Sequence, residues 1–336
     1  VQLYHVDSPR RDSRGATPDA SSGALRNSSD REVFSLPVFA ENRFEFGKFS
    51  ITPGIRVENI WQDVNEKVNV DKTGAGRPLD REEDSNTILL GGVGLEYEIP
   101  GASAVYGNVS QSYRPRIFTQ AVPTGPTAFV NEDLEEGKGL EYELGVRGKP
   151  TEWLTYDASA FLLSFRDQIG TVAVPGGTSL ENVGDAIHKG IDLSLNVDLL
   201  TLACGLKSEN SLDWFVNATV LDAEFTDGPQ DGNTPQYAPD YILRSGFIYT
   251  HGEKGKISLL GTLLDDHFGD DANTNDFKVP GYLVLDLTAE YLVHENVRIL
   301  AGVNNLLDES YYARVTGGGI DPANGRNYYV GLSLEF

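Results

Sequence analysis

The stretch Asn327-Tyr328-Tyr329-Val330-Gly331-Leu332-Ser333-Leu334-Glu335-Phe336 ends the chain, and its alternation decides the fold. Tyr328, Val330, Leu332, Leu334 and Phe336 share one side of an extended segment, and Tyr329, Gly331, Ser333 and Glu335 share the other. Successive side chains of a strand point to opposite faces, so this period of two marks a strand with one apolar face. The same split recurs upstream. Leu283, Leu285, Leu287, Ala289, Tyr291 and Val293 alternate with Val284, Asp286, Thr288 and Glu290; Ile191, Leu193, Leu195, Val197 and Leu199 oppose Asp192, Ser194, Asn196 and Asp198; Leu140, Tyr142, Leu144 and Val146 oppose Glu141, Glu143, Gly145 and Arg147.

Extended to the whole chain, the pattern predicts about 14 strands. They lie near residues 1 to 7, 32 to 46, 49 to 65, 87 to 99, 102 to 114, 138 to 149, 153 to 172, 184 to 203, 212 to 226, 238 to 251, 255 to 270, 281 to 293, 296 to 313 and 327 to 336. Short turns at Gly47-Lys48, Pro100-Gly101, Lys149 to Glu152, His251 to Lys254 and His294 to Asn296 take turns with long polar connections at 8 to 31, 66 to 86, 115 to 137, 173 to 183, 227 to 237, 271 to 280 and 314 to 326. One further turn, near 204 to 211, is longer. Counted back from Phe336, every long connection falls on the side opposite the chain end. Short turns on one side and long loops on the other mark an outer-membrane barrel, with the long loops extracellular. The fold class expected is therefore all-β: a transmembrane, antiparallel, up-and-down β-barrel whose apolar face meets lipid. Phe44, Phe46 and Phe49 at one turn, Trp153 and Tyr156 at another, and Tyr311, Tyr312, Tyr328 and Tyr329 beside the last loop suit interfacial aromatic girdles.

Composition fits and excludes. Thirty-six glycines and 15 each of Phe and Tyr suit many strands and turns, and no run approaches the roughly 18 apolar residues a spanning helix needs. With 50 acidic residues against 27 Lys and Arg, the net charge of −23 argues against nucleic acid as a partner. The single Cys204 rules out an intrachain disulfide and reads as a strand-end packing residue. No G-x-S-x-G elbow, H-E-x-x-H or phosphate-binding P-loop occurs, so no enzyme, catalytic residue, resident metal or cofactor is expected. Asp265-Asp266-His267 with Asp270-Asp271 has groups that could bind a cation, but an acidic extracellular loop is the better account of it.

Four segments carry a family resemblance: Val105-Tyr106-Gly107-Asn108-Val109-Ser110-Gln111-Ser112-Tyr113-Arg114-Pro115, the run from Asn131 to Arg147, the run from Glu181 to Leu195, and Val303 to Tyr312 followed by Gly325 to Phe336. In this order they resemble the TonB-dependent receptors of Gram-negative bacteria, within them the ferric-siderophore group that includes ferric citrate receptors. The likeness covers about residues 87 to 336. It implies location in the bacterial outer membrane and uptake of a ferric siderophore such as ferric citrate. The implied partners are the outer-membrane lipid and the TonB complex, the latter through an N-terminal segment not found here. It also implies a barrel of about 22 strands filled by a plug, so residues 1 to 336 are expected to be its C-terminal portion, with no plug in this sequence. Readings from other classes are a passive diffusion channel, a receptor for cobalamin or an oligosaccharide, and, more weakly, an outer-membrane enzyme or soluble adhesin.

Ferric citrate and many other ferric siderophores are anionic, so the expected ligand groups are cations or hydrogen-bond donors on outer loops and the upper inner wall. Arg114, Arg116 and Gln120 at the top of one strand come first, then Arg10, Arg11 and Arg14 in the first long connection, then Arg314 and Arg326 flanking the last.

Overall fold

A computed structural model of the chain describes residues 2–17, 19–125, 127–131, 133–205, 209–316 and 319–334. Seventeen strand segments join in one sheet, and the segments that continue one another make fourteen passes. These are β1 (Tyr4–Asp7 and Arg10–Arg14), β2 (Ala24–Ser35, Val38–Glu41 and Phe44–Phe46), β3 (Phe49–Asn69), β4 (Arg81–Ile99), β5 (Ser103–Arg114), β6 (Gly137–Thr151) and β7 (Leu154–Arg166). They continue with β8 (Ala186–Asp198), β9 (Asn210–Phe225), β10 (Tyr241–His251), β11 (Gly255–Leu264), β12 (Tyr282–His294), β13 (Val297–Asn304) and β14 (Asn327–Leu334). Each pass pairs antiparallel with the next in sequence, which is the up-and-down order expected.

Register shows why these residues form this sheet. One rung runs Leu95, Gly107, Leu144, Ala160, Ile191, Val220, Tyr241 across β4 to β10, each directly opposite the next. The rung beside it runs Glu96, Tyr106, Gly145, Ser159, Asp192, Thr219, Ile242. Directly paired residues share a face, so the sheet has one apolar and one largely polar side. The apolar side is uncovered: Leu89 is 63 % exposed, Leu144 65 %, Ile191 59 % and Val330 80 %. A soluble sheet would bury such a continuous belt, and a bilayer covers it. Phe44, Phe46 and Phe49 are also exposed and border the belt at a short turn. On the polar side Tyr106 lies across Gly145, where a Cβ would fall 2.5 Å from its Cζ. Tyr328 pairs with Val303 on the lipid side, whereas Tyr329 lies over Gly302 on the inner side, so only the first of this expected girdle pair faces lipid.

Several strands run longer than their hydropathy indicates. Arg10–Arg14 and Ala24–Ser35 replace most of the long connection expected at 8 to 31, and β3 and β4 reach Asn69 and Arg81, well into the one expected at 66 to 86. These parts are polar on both faces because they stand above the apolar belt, where neither face needs lipid. Conversely, β7, β8, β11 and β13 end before the stretches expected for them, and Ile169–Val174 with Gly177–Asn182 forms a separate hairpin. The turn after β8 contains helix α3 (Leu199–Cys204), whose N-cap Asp198 accepts bonds from the amides of Leu200 and Thr201. Cys204 is therefore an exposed helix residue and not a strand-end packing one. Glu335 and Phe336 lie outside the described residues.

Among the described residues β14 pairs only with β13, and β1 only with β2, so the sheet has two free edges.

Candidate functional site

Seven connections gather at the outer end of the sheet: residues 15–23, 70–80, 115–136, 167–185, 226–240, 265–281 and 305–326. Two turn inward. After β5 the chain forms helix α2 (Phe118–Ala121), and Ala121 and Val122 pack on Val64, which stands opposite Glu82 on the inner face. Arg31 of β2 sits over the Phe118 ring at 5.1 Å. After β7 the second loop packs Val172 and Val183 on Ala186 and Phe225, themselves an inner-face pair of β8 and β9. Apolar burial thus ties both loops to the inner wall, and a short parallel pairing of Ala128–Phe129 with Thr178 and Ser179 joins them.

Polar contacts fix the same plate of loops. Lys72, in helix α1 (Val70–Gly74), is fully buried and donates to Glu66 at 2.9 Å, Asp80 at 2.7 Å and the Pro123 carbonyl at 3.3 Å. Asn69 caps α1 and donates to the Thr124 carbonyl at 3.0 Å. Arg77 lies over the Phe129 ring and donates to the Ala128 carbonyl. Asn131 donates to the Leu180 carbonyl and Glu181, and Asn182 donates back to the Glu135 carbonyl. Farther round, Gly184 (φ +129°) approaches Asp227 so closely that a Cβ would lie 2.4 Å from its carbonyl oxygen. Asn273 exchanges hydrogen bonds with Thr234, and Asp271 accepts from the Gln236 amide at 3.0 Å. Burial, with the charge of Asp270 adding to it, pushes the Asp271 carboxyl above its ordinary range despite that bond.

The expected ligand residues divide into two groups. Arg116 is 7 % exposed and reaches Asp84 at 2.6 Å and Glu82 at 3.8 Å, its Nε buried without an acceptor. Gln120 caps its own helix by accepting from the Ile117 amide. Arg10 pairs with Asp12, and Arg314 with Asp321 through Nε and Nη2. That exposed pair holds the Arg314 pKa above its ordinary value, the hydrogen bond to Asp321 being the main cause. Arg11, Arg14, Arg114 and Arg326 are exposed and make no ion pair among the described residues. The structure does not bring the eight together at one point: Arg114 and Arg116 stand at β5, Arg10 to Arg14 on β1, and Arg314 and Arg326 between β13 and β14. In the acid-rich run beginning at Glu132, Glu136 accepts from Asn86 across the inner wall and Glu135 pairs with Lys138, while Glu132 itself lies outside the described residues. The buried Lys72 cluster was not foreseen, because a lysine in a polar, glycine-containing stretch carries no mark of burial.

Below the loops the inner face holds recesses of about 790 Å³ beside Glu96, Glu98, Arg147 and Asp157, of about 600 Å³ beside Glu41, Arg56, Asn108 and Glu141, and of about 520 Å³ beside Glu143, Asp192 and Arg244. Their lining mixes carboxylates, hydroxyls and amides with one arginine each and some aliphatic side chains. Among the described residues no group of three His, Cys, Asp or Glu is placed to hold a metal ion. The arrangement is a plate of interlocked loops above a polar interior.

Comparison with known proteins agrees with this geometry. The family model for the TonB dependent receptor-like β-barrel matches residues 2–306. The metal-pseudopaline receptor CntO of Pseudomonas aeruginosa is 24 % identical over 314 residues, covering 91 % of this chain and 41 % of that protein. The ferrienterobactin receptor of Escherichia coli K12 is 25 % identical over 323 residues, covering 90 % and 40 %. Among solved structures, the unliganded ferric citrate transporter FecA superposes with a TM-score of 0.72 at 22 % identity, covering 94 % of this chain and 47 % of that one. The ferric yersiniabactin receptor FyuA of Yersinia pestis gives 0.73 at 20 % identity, covering 99 % and 50 %. The chain thus spans about two fifths of these curated relatives. By the match to its barrel model, and by its fourteen antiparallel passes, the chain belongs to the TonB-dependent receptor family of bacterial outer-membrane β-barrels.

Proposed function

We propose that residues 1 to 336 form the C-terminal barrel portion of a receptor that takes up a ferric siderophore, driven by TonB, with a plug seated against the polar inner face. What supports this reading is the inward fold of the two loops on Val64 and on Ala186 and Phe225: they narrow the mouth and place ligand-facing surface over the interior. The free edges of β1 and β14 fit a barrel of about 22 strands completed elsewhere in the protein. Ligand contact falls to the exposed cations Arg114, Arg326, Arg11 and Arg14, which can donate to carboxylate, carbonyl or hydroxamate oxygens. Arg116, Gln120, Arg10 and Arg314 reach a ligand only by leaving their present partners. Lipid surrounds the outer belt, and no cofactor takes part.

The test is ligand binding and radioactive iron uptake with the full-length receptor, in cells with and without TonB. Saturable binding, with uptake lost in the TonB-free cells, is expected. Cobalamin or oligosaccharide binding without ferric siderophore binding would overturn the substrate, and steady conductance of the full-length protein in planar bilayers would favour a passive channel. Arg114→Ala with Arg326→Ala should weaken siderophore binding roughly tenfold, the scale of a hydrogen bond or two to a polar ligand.

A further inference from the structure

The seven outer loops contain 21 Asp and Glu residues against six Lys and Arg, whereas the short turns at the other end hold four acids and three lysines. The charge of the chain is therefore concentrated on the face a ligand meets first. The six cations scarcely offset it. Lys72 is buried between Glu66 and Asp80, Arg116 is held by Asp84, Arg314 by Asp321 and Lys278 by Asp266, and Arg77 lies against Phe129. Only Arg326 remains exposed without an ion pair among the described loop residues. The interior continues the trend: the largest recess sets Glu96, Glu98 and Asp157 against Arg147, the next sets Glu41 and Glu141 against Arg56, and the smallest of the three sets Glu143, Asp157 and Asp192 against Arg244.

A cleft lined by one sign of charge concentrates ligands of the opposite sign and slows the approach of ligands of its own. Resting on the uptake reading above, we infer that the chelate taken by this receptor carries no net charge or a positive one, as a ferric trihydroxamate does, and is not a strongly anionic catecholate or citrate complex. Recognition at contact then comes from neutral hydrogen bonds of loop hydroxyl and amide groups and from the N–H donors of the exposed arginines to hydroxamate oxygens, with acids such as Asp133, Asp231 and Asp276 supplying the long-range attraction. These three are exposed, and their carboxylates make no hydrogen bond or ion pair among the described residues. Of the seven arginines behind the anionic-ligand expectation, Asp12, Asp84 and Asp321 hold Arg10, Arg116 and Arg314, and the four left exposed, Arg11, Arg14, Arg114 and Arg326, are outnumbered by the loop acids.

The experiment measures affinity and association rate of the full-length receptor for three probes: a ferric trihydroxamate carrying a protonated amine, an uncharged ferric trihydroxamate, and ferric tris-catecholate. At low salt the cationic or neutral probe should bind at least about tenfold more tightly than the catecholate, and the cationic probe's association should slow as salt is added. Asp133→Asn, Asp231→Asn and Asp276→Asn together should slow association of the cationic probe several-fold while thermal unfolding is unchanged. Tighter binding of the catecholate, or faster association of the cationic probe in the triple variant, overturns the inference and leaves the uptake reading standing. Failure of all three probes to bind overturns the uptake reading and the inference with it.

Discussion

Lys72 shows how much a single residue can hold in a protein whose loops have little apolar core. Its ammonium is fully buried between Glu66 and Asp80, so removing it leaves the buried Glu66 carboxylate without its cation and beside the partly exposed Asp80. Breaking a buried pair from one side costs about 3 to 5 kcal/mol. Lys72→Met should therefore unlatch α1, seen as lost hydrogen-exchange protection at the Ala75 and Arg77 amides, which bond within that turn. Unchanged protection would contradict the latch. Asp271 gives a pH dependence of opposite origin. Its carboxyl pKa is raised, so its contribution to loop stability is full below the unfolded value near 3.8 and is lost as pH rises through the higher folded value. Asp271→Asn keeps an acceptor for the Gln236 amide without the buried charge. It should raise protection of that amide at neutral pH and lose this advantage near pH 4, whereas equal protection at both pH values would contradict the assignment. Neither residue was legible as special beforehand, since Lys72 and Asp271 sit among like polar neighbours and only tertiary contact buries them. Arg116 was legible as an important cation at a strand top, but the sequence held no sign that Asp84 and Glu82 stand within its reach.

Elements were far easier to read than contacts, and the failures have one cause. Wherever a strand lies at bilayer depth, its two faces meet different media and alternation survives, so β4 from Leu89 to Ile99 and β14 are plain in the sequence. Above the belt both faces meet water or polar protein, and Ala24 to Asp30 or Arg81 to Asn86 read as loop although hydrogen bonding carries them on as strand. The α3 turn misled differently: Leu199 to Cys204 is apolar enough to extend a strand, and Asp198 diverts it by capping a helix. Asp198→Ala should cost about 1 kcal/mol of local stability at that turn and leave ligand binding unchanged. Gly184 marks the crossing of two outer loops, where a left-handed φ and the nearby Asp227 carbonyl both exclude a side chain. Gly184→Ala should separate these loops at a cost on the order of 1 to 3 kcal/mol, detected by faster proteolysis within 167–185 and 226–240. Equal cleavage rates in the variant and the parent would refute that crossing.

For the whole molecule the governing fact is the sorting of side chains between lipid and a polar interior along each strand. Leu144 and Glu143 are adjacent in sequence and oppositely placed, Leu144 in the belt rung and Glu143 accepting from Asn108 on the inner wall. Leu144→Arg should cost about 2 to 4 kcal/mol of stability in the bilayer, and Glu143→Gln far less. The most direct test is a spin-label scan of residues 140 to 147 in the full-length receptor, reconstituted in lipid with Cys204 replaced by Ser. Labels at Leu140, Tyr142, Leu144 and Val146 should be relaxed by oxygen dissolved in the bilayer. Labels at Glu141, Glu143, Gly145 and Arg147 should be shielded from it and respond, if at all, to a water-soluble relaxant. A scan without this period of two, or one in which the apolar set is shielded from oxygen, would contradict the barrel.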